Sequence, residues 1–214
     1  MLAFDSLLRT FYGERFRVKT VAGLQHIVRL ADYYRALPRL SECLSIWLKE
    51  GDGSVIGGWG KVTGNCVDLL EMAFELRCSV LFKDCLLLCI GGLRTQRYGE
   101  ILNDRLRTYA ERECSKMRTQ FFNTMTAMWE APPFDKDGLW EIAVTLKPNS
   151  QEEAWEDIVH QASQLDPRNK FQEKLKAIAQ NRLAVIPYVN HRKYLLFAEI
   201  NDHDLPWDID EKEW

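Results

Sequence analysis

The chain has 214 residues, 46% of them hydrophobic and 28% charged, and its 11% aromatic content excludes a disordered protein. Lys and Arg number 28 against 31 Asp and Glu, so a net charge of −3 gives no general attraction to nucleic acid or to an anionic membrane. Because we find no signal peptide and no apolar run long enough to span a bilayer, we expect the six cysteines to be reduced thiols in the cytoplasm or nucleus.

The first fifty residues are predicted to form three helices. Apolar residues at helical spacing (Phe4, Leu7, Leu8 and Phe11) place one apolar face on a helix over 3–16, which should end at the Tyr-Gly-Glu sequence 12–14. A short extended link, 17–21, follows. Residues 23–49 then carry two apolar stripes separated at Pro38, a residue that suits the first turn of a helix. This spacing predicts a tight helical hairpin.

The next stretch, 51–64, contains six glycines and is predicted to be a flexible linker. Its glycines superficially suggest a phosphate-binding loop. The pattern fails, because Val62 stands where that motif requires Ser or Thr after Lys61.

Residues 65–200 are predicted to form further helices. The first is capped by Asn65, and the second, capped by Ser79 and ended at residues 91–92, is apolar nearly all round and therefore central. A long helix spans 98–129, with a break near Asn103. Further helices are predicted over 150–165 and 171–183. Residues 139–146 alternate like a strand, but no partner strand is evident.

The end of the chain, 201–214, is acidic and contains Trp207 and Trp214. Two interpretations stay open. The segment is either a short docking motif or a segment that folds back, with Trp207 covering an apolar patch. The sequence thus divides into 1–50, a linker at 51–64, a helical unit at 65–200 and an acidic tail at 201–214, with a mainly α fold.

A resemblance to the BTB/POZ family is carried by two segments, AFDSLLRTFYGERF (3–16) and GLQHIVRLADYYRALPRLSECLSIWL (23–48). They resemble the C-terminal half of that domain, which typically reads "LrylYtge" and then "lLelAdkYqvpsLkeaCeefL". The matching residues are Phe4, Leu7, Leu8, Tyr12, Gly13, Glu14, Leu24, Leu30, Ala31, Asp32, Tyr33, Tyr34, Leu40 and Cys43. Two later segments, 69–92 and 205–214, resemble the C-terminal region of fungal BTB proteins, a helical extension comparable to the BACK region. The resemblance implies truncated BTB/POZ-like helices followed by an α-helical extension.

The sequence departs from the family at its beginning. A complete BTB domain starts with strands and helices that precede the helix at 3–16, and these carry most of the sheet, the usual dimer interface and part of the cullin-facing surface. We therefore do not expect the family's homodimer. Either the gene model starts late or the protein has lost half the domain, and the apolar faces of 3–16 and of the hairpin then need another cover.

The resemblance implies a protein–protein interaction module. Its concrete form is an adaptor that brings a ubiquitination substrate to a cullin-based ubiquitin ligase, without nucleic-acid or membrane binding. The alternatives are a transcription-related scaffold and an enzyme with an unrecognised helical site. We expect the contact surface on the helix at 3–16 and on the hairpin, at residues Phe4, Leu8, Tyr12, Glu14, Tyr33, Tyr34 and Trp47.

No catalytic residue, cofactor or metal site is predicted. Cys85 and Cys89 lie four residues apart, but no second ligand pair follows, so we interpret them as core residues. Nothing marks a nucleophile–base pair such as Cys114 with His160. The basic residues of the long helix alternate with Glu111 and Glu113 and indicate a solvated face.

Overall fold

The computed structural model describes residues 2–14, 18, 20–50, 63–92, 96–130, 177, 180–184 and 194–208. This part of the chain is mainly α-helical, as predicted. Six α-helices lie in it: α1 (Leu2–Phe11), α2 (Val21–Tyr33), α3 (Leu37–Lys49), α4 (Cys66–Glu75), α5 (Ser79–Ile90) and α6 (Asp104–Glu130). Short 3₁₀ turns occupy Thr63–Asn65, Tyr98–Glu100 and Asp202–Asp204.

The first three helices form the predicted arrangement, with α1 packed against both helices of the α2–α3 hairpin. The Thr20 hydroxyl begins α2 by accepting a hydrogen bond from the Gly23 amide at 3.0 Å. Pro38 lies in the first turn of α3, as its spacing predicted. Leu24, Leu40 and Leu44 are completely buried between these helices.

Helices α4 and α5 form a second hairpin, and α5 is the central helix of the fold. Nine of its residues are buried, from Leu81 to Ile90, which confirms the prediction from its all-round apolar pattern. The N-cap is Cys78, so the prediction of Ser79 as the cap was wrong by one residue. Asn65 occupies the N-cap of α4 as expected, although its side chain makes no capping hydrogen bond there.

Helix α6 begins at Asp104, which confirms the predicted break. The Asn103 side chain accepts a hydrogen bond from the Leu106 amide at 3.1 Å and so starts the helix. The segment from residue 194 meets the end of α5, where the Leu195 amide donates to the Gly91 carbonyl at 2.8 Å, and Leu195, Leu196 and Phe197 are buried. The buried side chains, from Leu7 to Leu205, form one hydrophobic core.

The acidic end of the chain folds back, as far as it is described. The indole of Trp207 lies 4.8 Å from the ring of Phe82 and 6.0 Å from that of Phe74, centroid to centroid. The position of Trp207 therefore agrees with the second interpretation, in which this residue covers an apolar patch. The predictions for residues 51–62, 139–146 and 150–165 lie outside the described residues. The predicted helix over 171–183 was wrong at its end, because Gln180–Leu183 are not helical.

Three helices end in the same way, with a residue in the left-handed conformation. Gly13 has φ +71° after α1, Arg35 has φ +53° after α2 and Arg77 has φ +48° after α4. At Arg35, the amides of residues 35 and 36 donate to the carbonyls of Asp32 and Ala31, the bonding pattern of a Schellman motif. Glycine suits this conformation best because it has no Cβ to clash.

We expect Arg35→Gly to raise the free energy of unfolding by about 0.5–1 kcal/mol, since it relieves the left-handed conformation of an exposed residue. Gly13→Ala makes the opposite kind of change at the end of α1 and should lower the free energy of unfolding by about 1 kcal/mol. A Cβ at Gly13 would meet nothing within 4 Å, so this loss reports the backbone conformation alone. Urea unfolding of both variants measures the effect; destabilisation by Arg35→Gly would contradict this account of the helix ends.

Candidate functional site

Helix α1 is apolar on two sides, and only one of them is buried. Leu7 (2% exposed) and Thr10 (0%) face α2 and α3. The Thr10 hydroxyl donates to the Ser6 carbonyl at 3.0 Å, and the Thr10 carbonyl accepts from the Cys43 thiol at 3.5 Å. The inner side of α1 is therefore buried, and the hydroxyl and carbonyl of Thr10 both have hydrogen-bond partners within the described chain. The single apolar face predicted from the sequence is in fact divided, because Leu7 points inward and its apolar neighbours point outward.

The outer side of α1 continues onto the end of α2 as an exposed aromatic surface, which we call the α1 stripe. Its exposed fractions run from 41% at Leu8 to 81% at Tyr12. Together its side chains expose on the order of several hundred Å² of largely apolar surface, the size range of functional patches on small proteins. The stripe consists of Phe4, Leu8, Phe11, Tyr12, Tyr33 and Tyr34.

Two local features bring these residues together. Phe4, Leu8 and Tyr12 follow one another at four-residue steps, so they lie in a row along α1. The ring of Tyr34 lies 6.0 Å from that of Phe4, and Tyr33 packs edge-on against Tyr34 at 5.0 Å. The α2–α3 turn that follows at Arg35 therefore places two more tyrosines beside the row.

Charged side chains border the stripe on α1. The Arg9 guanidinium lies 3.0 Å from the Asp5 carboxylate and 3.9 Å from that of Glu14. All three side chains are about half exposed or more, so these pairs add little stability. An apolar centre with a charged border is the usual composition of a protein–protein contact surface.

The structure brings together five of the seven predicted contact residues in the stripe, and Glu14 lies at its border. The inclusion of Trp47 was wrong. Its side chain is only 4% exposed because α3 turns it into the core, so it is not accessible to a partner. Phe11 was missing from the predicted surface, although it follows Leu8 at a three-residue step and is 49% exposed.

The cysteines and the basic residues of α6 lie outside the stripe. All six cysteines are buried and form no disulfide, and the burial of Cys85 and Cys89 agrees with their interpretation as core residues. Among the described residues, no cluster of His, Cys, Asp and Glu has the composition of a metal site, and no helix is long and apolar enough to cross a bilayer. Three basic residues of α6 pair with neighbouring acids: Arg107 with Asp104, and Arg112 and Lys116 with Glu113.

A cavity of about 440 Å³ lies between α6 and residues 204–208. Its walls include Arg105, Arg112, Asp204 and Trp207, and hold neither His nor Cys. The Arg105 guanidinium donates to the Pro206 carbonyl at 2.9 Å, and that of Arg112 stacks on the Tyr109 ring at 4.9 Å. The Arg105 hydrogen bond therefore holds the C-terminal segment against α6, whereas the Arg112–Tyr109 contact lies within that helix.

Comparisons with protein-family models, with curated proteins and with solved structures found no match. The BTB/POZ resemblance therefore depends on the residues quoted for it and stays a prediction.

Proposed function

We propose that this protein is a protein–protein interaction module that binds its partner through the α1 stripe. The observation that carries the proposal is the second, exposed apolar side of α1. Five tyrosine and phenylalanine side chains, at 46–81% exposure, stand beside Leu8 and are not used by the core of the described chain. Aromatic side chains with a polar border supply much of the binding energy at protein contacts.

The concrete form that we propose is a BTB/POZ-type adaptor for a cullin-based ubiquitin ligase, with a ubiquitination substrate as its second partner. Three features support it. The Tyr-Gly-Glu sequence ends α1 in a left-handed turn at Gly13, the α2–α3 hairpin follows, and the family-like Leu24, Ala31 and Leu40 occupy its core. Ligase chemistry would then belong to the partners. The transcription-related scaffold and the enzyme stay alternative predictions.

The test is a calorimetric titration of the purified chain against the N-terminal domain of the BTB-associated cullin. We expect saturable binding with a micromolar or lower Kd. Leu8→Glu should raise this Kd by about 30-fold or more, because it places a charge in the centre of the stripe, where a buried contact is worth about 2 kcal/mol. Tyr12→Ala and Glu14→Ala should also raise the Kd.

Leu102→Glu is the matched control. Leu102 is 84% exposed and lies in the turn before α6, outside the stripe, so the same chemical change there should leave the Kd within about twofold. Circular dichroism establishes that both variants are folded. Equal loss of binding in Leu8→Glu and Leu102→Glu would show that the contact is not the stripe.

A further inference from the structure

Two thiols and one guanidinium meet where α4 begins and α5 ends. Cys66 is the first residue of α4, and Cys89 is the second-last residue of α5. The Arg97 Nη1 donates to the Cys66 sulfur at 3.5 Å, while the Arg97 main-chain amide donates to the Cys89 carbonyl at 2.9 Å. The Cys66 and Cys89 side chains lie within hydrogen-bonding reach of each other. One arginine thus holds both cysteines in place.

Arg97 is itself fixed by neighbouring groups. Its Nη1 also donates to the carbonyls of Thr63 and Gly64, at 3.0 and 2.9 Å. Its Nη2 lies 2.7 Å from the Glu100 carboxylate, and its Nε donates to the same group. The positive charge therefore stays beside Cys66, at the amino-terminal end of α4, where the helix dipole also favours a negative charge.

The remaining cysteines have ordinary structural surroundings. The Cys43 thiol donates to the Thr10 carbonyl, and that of Cys114 donates to the Ile90 carbonyl at 3.7 Å. Burial raises the pKa of Cys43, Cys78, Cys85 and Cys114. Such thiols are inert.

Cys66 differs from them. The hydrogen bond from Cys89 and the charge of Arg97 lower the pKa of the Cys66 thiol, against the opposing effect of its burial. The hydrogen bond to Cys66, together with burial, raises the pKa of Cys89 well above its ordinary value. The Arg97 guanidinium beside its sulfur therefore favours Cys66 as the nucleophile of the pair.

We propose that Cys66 and Cys89 form an oxidisable dithiol site, at which peroxide converts the pair to a disulfide. The Cys66 thiol gives up its proton and the thiolate attacks one peroxide oxygen. The O–O bond breaks, a sulfenic acid forms, and the leaving hydroxide takes up the released proton as water. The Cys89 sulfur then attacks the Cys66 sulfur. The S–S bond forms, the S–O bond breaks, and the leaving hydroxide takes the Cys89 proton as a second water. Two thiols and one peroxide thus give one disulfide and two waters.

The disulfide would tie the start of α4 to the end of α5, the central helix. Cys66 is 1% exposed and lies two residues after the exposed Gly64, so a large oxidant cannot contact its thiol in the folded chain. This site therefore suits a small oxidant such as hydrogen peroxide. It is independent of the α1 stripe.

The test treats the folded, reduced chain with hydrogen peroxide, alkylates the remaining thiols and maps the peptides without reduction. We expect one disulfide, between Cys66 and Cys89, with four thiols still alkylated. Cys89→Ala should stop at the sulfenic acid, which dimedone labels at Cys66. Arg97→Gln should slow the loss of thiols by about tenfold, since it removes the charge that favours the thiolate.

Cys85→Ala is the matched control, because Cys85 is a buried thiol one turn before Cys89, and this variant should form the disulfide at the wild-type rate. Where Arg97→Gln fails to fold, Arg97→Lys, which keeps the charge, should oxidise at a rate near that of the wild type. Dimedone labelling at a cysteine other than Cys66, a disulfide through Cys85, or no oxidation of a folded chain whose urea-unfolded form does react would overturn the proposal.

Discussion

Gly91→Ala should lower the free energy of unfolding by about 3 kcal/mol, at the upper end of the cost of overpacking a core. Gly91 follows α5, and its carbonyl accepts a hydrogen bond from the Leu195 amide at 2.8 Å. A Cβ at this position would overlap the Leu195 carbonyl oxygen and lie 2.6 Å from that of Leu87. Both are backbone atoms, so neither can move aside without shifting α5 or the segment from residue 194.

Thermal unfolding measures this effect, and a loss of this size corresponds to a Tm lower by roughly 10 °C for a chain of this length. Gly99→Ala is the control, since a Cβ there would meet nothing within 4 Å. It should change the stability by less than about 0.5 kcal/mol. If the Tm of Gly91→Ala equals that of Gly99→Ala, residues 194–195 do not pack against the end of α5 as described.

Trp207→Ala is expected to have the second-largest effect, a loss of about 2–3 kcal/mol. The indole packs edge-on against Phe82, which is completely buried on α5, and against Phe74 on α4. Removal of a large aromatic side chain leaves a cavity and loses these ring contacts. The expected loss of stability is smaller than that for a fully buried tryptophan, because Trp207 is only partly buried.

Chemical denaturation of Trp207→Ala and of Tyr33→Ala provides the comparison. Tyr33 is 80% exposed, so its replacement should cost less than about 0.5 kcal/mol. A Trp207→Ala variant as stable as Tyr33→Ala would mean that the acidic end of the chain does not contribute to the core. That result would favour the other interpretation, in which the acidic end is a docking motif and Trp207 does not pack against the core.

Periodicity predicted the helices whose apolar pattern is unambiguous. The all-round apolar sequence of α5 placed it in the centre, and the break predicted near Asn103 falls where α6 begins, because both signals are local. The role of Gly91 was only partly predictable. The sequence indicated a helix end there, but the close approach of Leu195 comes from a part of the chain about a hundred residues later.

The sequence predicted most of the residues in the candidate site, but it did not distinguish the apolar residues that are buried from those that are exposed. Leu7 and Leu8 are equally apolar neighbours, and only the position of α2 and α3 decides that Leu7 is buried and Leu8 exposed. The same tertiary packing buries Trp47, which the sequence placed on the contact surface. The Cys66–Arg97 contact was also missed, since it joins residues from separate elements with no motif spacing.

We propose that this chain binds a cullin-type partner through the α1 stripe. The most direct measurement is the titration of the unmodified chain against the cullin N-terminal domain, with light scattering of the mixture. We expect a saturable micromolar complex containing one copy of each chain. A folded, monodisperse chain that shows no binding at concentrations well above the micromolar range would contradict the adaptor function.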